Sequence, residues 1–322
     1  MKLLGSESVS KATVSRTIVN QGSMLNEAQQ TSLCREFTRE DVKVAPFAID
    51  DNKVVGPDGF SSGFFMKTWS IIGSDIIAAV LDFFHTGKLL KQVDATTLCL
   101  IPKCEQADDV TKYRPIACCN VMYKIISKMI CSRLKCGLLA IMKPVQSAFI
   151  ENRIIMHNIF LCQDIMKNYL RKSLPARCTI KVDLRKAYDS LNWEFVKELL
   201  IALKFPHQFV HWVMLCITSP CFSLSFNGGL CGFFKGKQGL RQGDLMSTLI
   251  FVIAMEYLSR LLKKMSLKNS LSFLHRSFED VSGLAANDDK TTIYFGLFEF
   301  DRMTLERLKI EDLYIEEEMI SF

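Results

Sequence analysis

A short apolar strand that ends in a carboxylate is the feature that most constrains how this chain folds. Ile180, Val182 and Leu184 alternate with polar neighbours, and this period of two predicts a strand. The strand delivers Asp183 at its end, and Tyr188 follows five residues later, where an aromatic ring can wall a pocket. A carboxylate at a strand end can bind a metal ion, but it can also cap the next helix, and this stretch alone favours the cap.

A glycine-bounded loop precedes a long apolar helix about fifty residues further along. The loop is Gly239–Asp244, and the predicted helix begins at Leu245. Gly243 lets the backbone approach a ligand closely, and the amide of Gln242 can form hydrogen bonds with a base or a sugar. The aspartate strand and this loop together resemble the A and B motifs of reverse transcriptases, specifically those of plant LINE-type (non-LTR) retrotransposons.

The resemblance extends backward through most of the chain. The further matching stretches are Gly56–Phe60, Phe64–Trp69, Thr96–Lys103, Tyr113–Ile116, and Gln146–Phe149 with Arg153. Two of these stretches place Lys103 and Arg114 at neighbouring predicted strands, where the resemblance implies contacts with an incoming nucleotide. From the residues alone, the two side chains are better explained as solvated surface cations, because exposed Lys and Arg are so common.

A helix predicted over residues 123–139 carries a basic stripe. Lys124, Lys128 and Arg133 lie on one side of it, opposite an apolar face. Such a stripe can follow the phosphates of a nucleic acid, although a solvated helix face has the same sequence pattern.

The resemblance implies a fold and an activity. The fold is α+β, with fingers and a right-hand palm built on a small antiparallel sheet backed by helices. The activity is RNA-directed DNA synthesis with deoxynucleotides and Mg²⁺, on an RNA template and a DNA primer. The implied roles are metal binding by Asp183, exclusion of a 2′-hydroxyl by Tyr188, triphosphate binding by Lys103 and Arg114, shaping of the nucleotide site by Gln242 and Gly243, and proton donation near the pyrophosphate by Lys290.

One motif of that family is missing. Two-metal nucleotidyl transfer uses a second carboxylate cluster, an x-x-Asp-Asp hairpin that follows the helix after the B motif. Here the residues after that helix, Phe278–Asn287 with Lys290, already resemble the D motif, so the C motif is deleted. The pair Asp288-Asp289 lies inside the D motif without a strand before it, and its composition favours a turn over a catalytic role.

These departures have predicted consequences. Asp183 is left as the single metal anchor, which makes Mg²⁺ binding doubtful. Its strand is expected to have an open edge where the C hairpin pairs in the family. The loop after Gly243 also lacks two prolines of the family pattern, with Leu245 and Thr248 in their places, which alters the entry to the helix.

We predict four segments along the chain. They are a flexible leader over 1–35, an N-terminal extension and fingers over 36–180, a palm with motifs A, B and D over 181–296, and a divergent acidic tail over 297–322. The tail stands where a basic thumb is expected, so most of the thumb is absent. Its acidic side chains have the wrong sign for gripping primer and template.

Composition fits a globular protein and restricts its location. Of the 322 residues, 49% are apolar, and the net charge of +6 is compatible with a polyanionic partner. The twelve cysteines form no C-x-x-C pair and the first residues do not form a signal peptide, so we expect reduced thiols, without disulfides, in the nucleus or cytoplasm. The longest apolar run, Leu245–Tyr257, is too short to span a membrane and contains Glu256.

Three functions fit these patterns. The first is a decayed, inactive reverse transcriptase domain. The second is a non-catalytic remnant that binds nucleic acid through its basic helices, and the third is an active polymerase whose gene model lost an exon. Salt-dependent RNA binding without primer extension favours the second over the first. A longer transcript that encodes the hairpin favours the third.

Overall fold

The protein has an α+β fold in which a small four-stranded sheet is backed by helices, which confirms the predicted class. The computed structural model describes residues 13–144, 146–167, 178–226, 228–266, 274–287 and 290–295. The strands are β1 (Ala95–Pro102), β2 (Tyr113–Cys119), β3 (Cys178–Lys181), β4 (Cys221–Phe226), β5 (Gly229–Lys235) and β6 (Thr292–Phe295). The helices are α1 (Arg16–Val19), α2 (Glu27–Cys34), α3 (Arg39–Phe47), α4 (Ser62–Lys67), α5 (Trp69–Thr86), α6 (Lys91–Asp94), α7 (Val121–Ile141), α8 (Ile155–Lys167), α9 (Ala187–Ser190), α10 (Trp193–Ala202), α11 (His207–Thr218), α12 (Leu245–Ser266) and α13 (Leu274–Ser282).

The main sheet has the strand order β2-β1-β4-β5. β1 pairs antiparallel with β2 and parallel with β4, and β4 pairs antiparallel with β5. This sheet is therefore mixed, whereas the sequence predicted an antiparallel one, because the helical crossover between β1 and β4 returns the chain in the same direction. β4 and β5 come from the range predicted as palm, and they share one sheet with the strands predicted as fingers.

The strand that leads to Asp183 belongs to a second, two-stranded sheet. β3 pairs antiparallel with β6, and a bridge between Leu184 and Ala286 extends the contact past the strand end. β6 therefore covers one edge of β3. No other strand among the described residues pairs with β3, so its second edge lacks a partner strand within that part of the chain.

The centre of the core is the contact between α7 and α12. The face of α7 predicted to be apolar is buried, and its members are Ile125, Ile126, Met129, Ile130 and Leu134. Periodicity alone located this face correctly, because an amphipathic helix of this length must cover its apolar side. The observed helix extends two residues beyond the prediction at each end.

Two members of the basic stripe on α7 contact other parts of the chain. The Arg133 guanidinium lies 3.2 Å from the centre of the Phe37 ring and donates to the carbonyl of Leu33. Lys124 Nζ donates to the carbonyl of Val54 at 2.6 Å. These cations fasten the N-terminal segments onto α7, a role that the sequence pattern did not reveal.

Residues 13–35 are packed against the core, which corrects the prediction of a flexible leader for that part of the range. Ile18, Val19, Leu25 and Leu33 are all buried there. The residues before Thr13 lie outside the described range. Polar composition suggested a loose segment, but a few apolar side chains at the right positions are enough to dock two short helices.

Arg260 on α12 holds this N-terminal segment in place. Its side chain is buried, pairs with Glu256 at 2.8 Å, and donates to the carbonyls of Val19, Ser23 and Ile141. A buried guanidinium needs this many acceptors because its desolvation is costly. Arg260 therefore joins α12 to the end of α7 and to the N-terminal helices.

α12 is long and apolar enough to cross a membrane by length and composition, because it continues beyond the apolar run in the sequence. The length argument against a membrane span is therefore wrong for the helix as it is formed. However, most of its apolar window is buried inside the protein, as in a core helix.

Every cysteine whose side chain the structure describes is a free thiol, and the sulfur atoms of Cys99 and Cys118 lie 3.5 Å apart.

Arg260→Ala should lower the free energy of unfolding by about 3–5 kcal/mol, because Glu256 would be left buried without its cation. Urea denaturation measures the change. Lys264→Ala is the matched control, since Lys264 lies one turn along the same helix and donates to Thr17 at the surface. The control should cost no more than about 0.5 kcal/mol. Equal losses in the two variants would contradict the anchoring role of Arg260.

Candidate functional site

A cavity of about 1080 Å³ opens between the main sheet and the segment that follows β3. Six of the seven residues predicted for the site line it, namely Lys103, Arg114, Asp183, Tyr188, Gln242 and Lys290. The seventh, Gly243, does not. The structure thus brings together side chains that are spread over nearly two hundred residues of sequence.

The cavity lining is strongly basic. Its charged members are Lys103, Lys112, Arg114, Arg185, Lys186 and Lys290, against Asp183 and Asp189. Six cations facing two carboxylates create a positive potential inside the concave wall. Such a cavity favours a polyanionic ligand over a neutral or cationic one.

Lys103 and Arg114 come together because β1 and β2 form a hairpin. Arg114 is opposite Ile101 in the strand register, two residues before Lys103. Lys103 is exposed, and its Nζ donates to the carbonyl of Thr111 at 2.8 Å, within the turn that joins the two strands. Both cations therefore stand at the open end of one hairpin, where they can reach the same ligand.

Asp183 is held by the segment that resembles the D motif. The backbone nitrogen of Asn287 donates to the Asp183 carbonyl at 2.7 Å, and Asn287 Nδ2 donates to Asp183 Oδ2 at 3.1 Å. Arg185 N also donates to the carbonyl of Ala285 at 2.8 Å. The segment therefore fixes the aspartate at the cavity wall and occupies one of its oxygens.

The described residues do not fit a two-metal centre. Within them, no group of three or more His, Cys, Asp and Glu side chains is placed to share a cation. The second carboxylate of the cavity, Asp189, is buried and accepts a hydrogen bond from Gln242. Asp288 and Asp289 lie outside the described residues. Asp183 alone is too little negative charge to hold two divalent cations close together.

Tyr188 lies on the short helix α9, and its ring is fixed by packing. The Tyr188 ring stacks on Phe251 with 5.1 Å between ring centres and an angle of 26° between planes. Lys186 begins this helix with a φ of 49°, an unusual value for a residue other than glycine. The tight turn from strand to helix therefore turns Tyr188 toward the cavity wall.

The loop Gly239–Asp244 is fastened on two sides. Leu240 N donates to the Tyr188 carbonyl at 2.6 Å, and Ala117 N donates to the Gln242 carbonyl at 2.8 Å. A Cβ atom on Gly239 would lie 2.6 Å from the carbonyl oxygen of Asp189, so only glycine fits there. The loop therefore bridges the main sheet and the turn that carries Tyr188.

Gly243 has a different place from the one predicted. It is exposed, has a φ of 103°, and a Cβ atom there would make only an ordinary contact, at 3.5 Å, with the Ala117 carbonyl oxygen. The φ of Gly243 therefore favours glycine for the backbone conformation of the loop.

Arg241 is a central residue that sequence analysis missed. It is buried, pairs with Asp94, and lies 4.0 Å from the centre of the Tyr123 ring. Asp244 in the same loop accepts hydrogen bonds from Tyr123 Oη at 3.0 Å and Ser127 Oγ at 2.7 Å. No local sequence pattern distinguishes Arg241 from a cation that faces the ligand.

The electrostatics of this network keep Arg241 charged. Burial by itself lowers the pKa of Arg241, but the negative charges of the neighbouring Asp94 and Asp244 act to raise it, and the pKa lies above the ordinary value for arginine. Burial also raises the pKa of the Tyr123 hydroxyl, which therefore donates to Asp244 as a neutral phenol.

The stretch Gln146–Phe149 with Arg153 does not reach the cavity. Arg153 points inward, and its guanidinium donates to the carbonyls of Met142, Lys143 and Gln146. Gln146 and Ser147 are buried. In this arrangement Arg153 closes the loop after α7, so its conspicuous place in the motif has a structural explanation.

Comparison with known proteins identifies relatives of this chain. The family model for "Reverse transcriptase (RNA-dependent DNA polymerase)" matches residues 101–280, more than half of the chain. The "Transposon TX1 uncharacterized 149 kDa protein" of Xenopus laevis is 27% identical over 241 residues, which cover 75% of this chain and 18% of that protein. The "Retrovirus-related Pol polyprotein from type-2 retrotransposable element R2DM" of Drosophila melanogaster is 24% identical over 227 residues, covering 70% and 21%. The chain thus spans about a fifth of the length of these relatives.

Solved structures with some similarity include two of telomerase from Candida tropicalis. The apo form, truncated from the C-terminal domain, has a TM-score of 0.44 and 15% identity, and the match covers 78% of this chain and 59% of that one. The complex with a TWJ fragment of telomeric RNA has a TM-score of 0.42 and 15% identity, covering 74% and 45%.

Gly239→Ala should destabilise the protein more than Gly228→Ala, although the two glycines have nearly the same φ of 80° and 79°. Both substitutions incur the cost of a left-handed alanine, about 1–2 kcal/mol. Only the first also places a Cβ against the Asp189 carbonyl, since Gly228 has open space around it. Urea denaturation should therefore show a loss for Gly239→Ala that exceeds the control by about 1 kcal/mol or more. Indistinguishable losses would contradict the close fit of the loop.

Proposed function

The chain belongs to the reverse transcriptase (RNA-dependent DNA polymerase) family, and from that premise we propose that it is the nucleotide-binding part of a non-LTR retrotransposon polymerase of the plant LINE type. The similarity to proteins of TX1 and R2 elements supports the retrotransposon origin. The order of the motifs from Gly56–Phe60 to Lys290 supports the LINE type.

The observation that carries this proposal is the basic cavity. Its six cations suit the triphosphate of a deoxynucleotide, which is its proposed ligand. Lys103 acts as a point charge on the phosphates, and the guanidinium of Arg114 can grip two phosphate oxygens at once. Lys290 lines the same cavity and is the proposed proton donor to a leaving pyrophosphate.

Tyr188 and Gln242 are proposed to bind the nucleoside end of the ligand. The stacking of Tyr188 on Phe251 fixes a flat surface at the wall, and a sugar can pack on it. A rigid ring in that place leaves little room for a 2′-hydroxyl, so the site should prefer deoxynucleotides. Gln242 lines the wall beside it and can form a hydrogen bond with the sugar or base.

The proposed activity is binding without efficient polymerisation. Divalent cations, when bound in polymerases, stabilise the attacking and leaving oxygens. Of the two carboxylates that line the cavity among the described residues, Asp183 accepts at Oδ2 from Asn287, and Asp189 is buried and bonded to Gln242. No group of three or more ligating side chains in this part of the chain is placed to share a cation. Losing one anchor of a metal pair costs orders of magnitude in rate, each tenfold being about 1.4 kcal/mol of barrier. The sequence as it stands is therefore proposed to be a degenerate polymerase.

The proposed macromolecular partners are an RNA template and a DNA primer, in the nucleus or cytoplasm. The net charge of +6 and the cations of the cavity support an anionic partner. The alternative hypothesis is a non-catalytic remnant that binds nucleic acid through α7. It has less support, because Arg133 contacts Phe37 and Lys124 contacts Val54 within the chain.

Arg114→Ala should weaken binding of a deoxynucleoside triphosphate by about tenfold or more, since one charge-assisted contact to phosphate is lost. Titration with a fluorescent N-methylanthraniloyl deoxynucleotide measures the dissociation constant. Lys135→Ala is the control, because Lys135 is an exposed cation paired with Glu151 and does not line the cavity. The control should bind as the wild type does. Equal affinity of Arg114→Ala and wild type would place the triphosphate elsewhere.

Primer extension tests the proposed loss of polymerisation. On an RNA template with a DNA primer, deoxynucleotides and Mg²⁺, wild-type protein and Asp183→Asn should both give no extension above background, since a single carboxylate cannot hold the metal pair. If the wild type extends the primer and Asp183→Asn does not, the protein is an active polymerase, and the hypothesis of a degenerate polymerase is refuted. Extension that survives Asp183→Asn would refute the role of Asp183.

A further inference from the structure

Asp189 is a buried carboxylate to which the sequence patterns gave no role. Its residue is 5% exposed, and Oδ1 accepts a hydrogen bond from Gln242 Nε2 at 2.9 Å. Burial raises the pKa of Asp189, while the Gln242 hydrogen bond, Lys186 and Lys103 lower it. Burying a carboxylate beside a neutral amide is costly, so its presence needs an explanation in the fold or in the site.

The fold does not need this carboxylate to hold its neighbours. Backbone hydrogen bonds already join the loop to α9, from Leu240 N to the Tyr188 carbonyl, and to β2, from Ala117 N to the Gln242 carbonyl. An apolar side chain at position 189 would avoid the desolvation cost altogether. These backbone bonds do not determine which end of the Gln242 side-chain amide, the nitrogen or the oxygen, faces the cavity.

The Asp189 carboxylate determines the orientation of the Gln242 side-chain amide. An ionised carboxylate only accepts hydrogen bonds, so the amide nitrogen of Gln242 must face Asp189. The amide oxygen is then left to act as an acceptor for another group. Gln242, Asp189 and Tyr188 all line the cavity, so the wall beside the tyrosine ring offers a fixed acceptor.

We propose that Asp189 is a positioning residue, which orients Gln242 so that the site selects nucleotides that present a hydrogen-bond donor, such as a sugar hydroxyl, to the Gln242 amide oxygen. This inference rests on the proposed function, since it takes the cavity to be a nucleotide site. Asp189 acts through Gln242 and needs no contact with the ligand.

The test compares two nucleotides that differ by one hydroxyl. A deoxynucleoside triphosphate and its 2′,3′-dideoxy counterpart each displace the fluorescent nucleotide, and the ratio of their dissociation constants gives the selectivity. Wild-type protein should bind the hydroxyl-bearing nucleotide about three- to tenfold more tightly, which corresponds to one net hydrogen bond. In Asp189→Asn the new amide can donate to Gln242 and let it turn round, so the ratio should fall toward one.

A double variant that exchanges the amide and the carboxylate tests whether the selectivity ratio can be restored. In the double variant Asp189→Asn, Gln242→Glu, the new amide donates to one oxygen of the new carboxylate, whose other oxygen restores an acceptor at the wall. The added charge weakens both nucleotides alike because both carry the same triphosphate, so the ratio should return toward the wild-type value. A ratio that stays near one in the double variant would overturn the inference.

The remaining outcomes are also decisive. If Asp189 only stabilises the fold, Asp189→Asn lowers the melting temperature and leaves the ratio unchanged, which overturns the proposal. If that variant does not fold, Gln242→Ala replaces it, since this side chain is only half-buried, and an unchanged ratio there overturns the proposal equally. Failure of the wild type to bind either nucleotide would instead refute the proposed function, and the inference with it.

Discussion

A positive charge buried under the loop Gly239–Asp244 is the constraint on which the site depends. The Arg241 guanidinium is removed from water, and it is stable there because Asp94 neutralises it and the Tyr123 ring covers one face. The loop cannot lift away from the sheet without exposing or unpairing that charge. Asp244 adds a second attachment through Tyr123 and Ser127, so the loop is held by α6 and α7 together.

This fixed loop makes one cavity out of two sheets. Its backbone accepts from Ala117 on β2 and donates to the Tyr188 carbonyl, so the loop connects the main sheet to the segment that follows Asp183. The cations of the β1–β2 hairpin and the segment that carries Asp183 line the same cavity, which has a volume of about 1080 Å³. The N-terminal helices belong to the same body, because Arg260 ties them to the far end of α12.

The balance of charge in the cavity separates binding from catalysis. Six cations can attract and hold a triphosphate, and this needs no precise geometry because Coulomb attraction falls off slowly with distance. Metal-assisted transfer is far more demanding, since several carboxylate oxygens must converge on the same ions. A site rich in cations and poor in carboxylates can therefore supply the electrostatic part of anion binding without the carboxylate group that metal-assisted transfer requires.

Local patterns in the sequence were enough to predict the main helices and strands and six of the side chains that line the cavity. Strand and helix periodicity located β1, β2, α7 and α12, and motif order selected Lys103, Arg114 and Tyr188, which do line one cavity. Which polar side chains face inward depends on how the whole chain packs. Arg241 and Asp189 lie within the same motifs as the residues that line the cavity, yet their partners, Asp94 and Gln242, come from distant parts of the chain. The same is true of the N-terminal helices. The burial of a residue and the identity of its partner depend on the packing of the whole chain, whereas a sequence motif reflects only the neighbours of that residue along the chain.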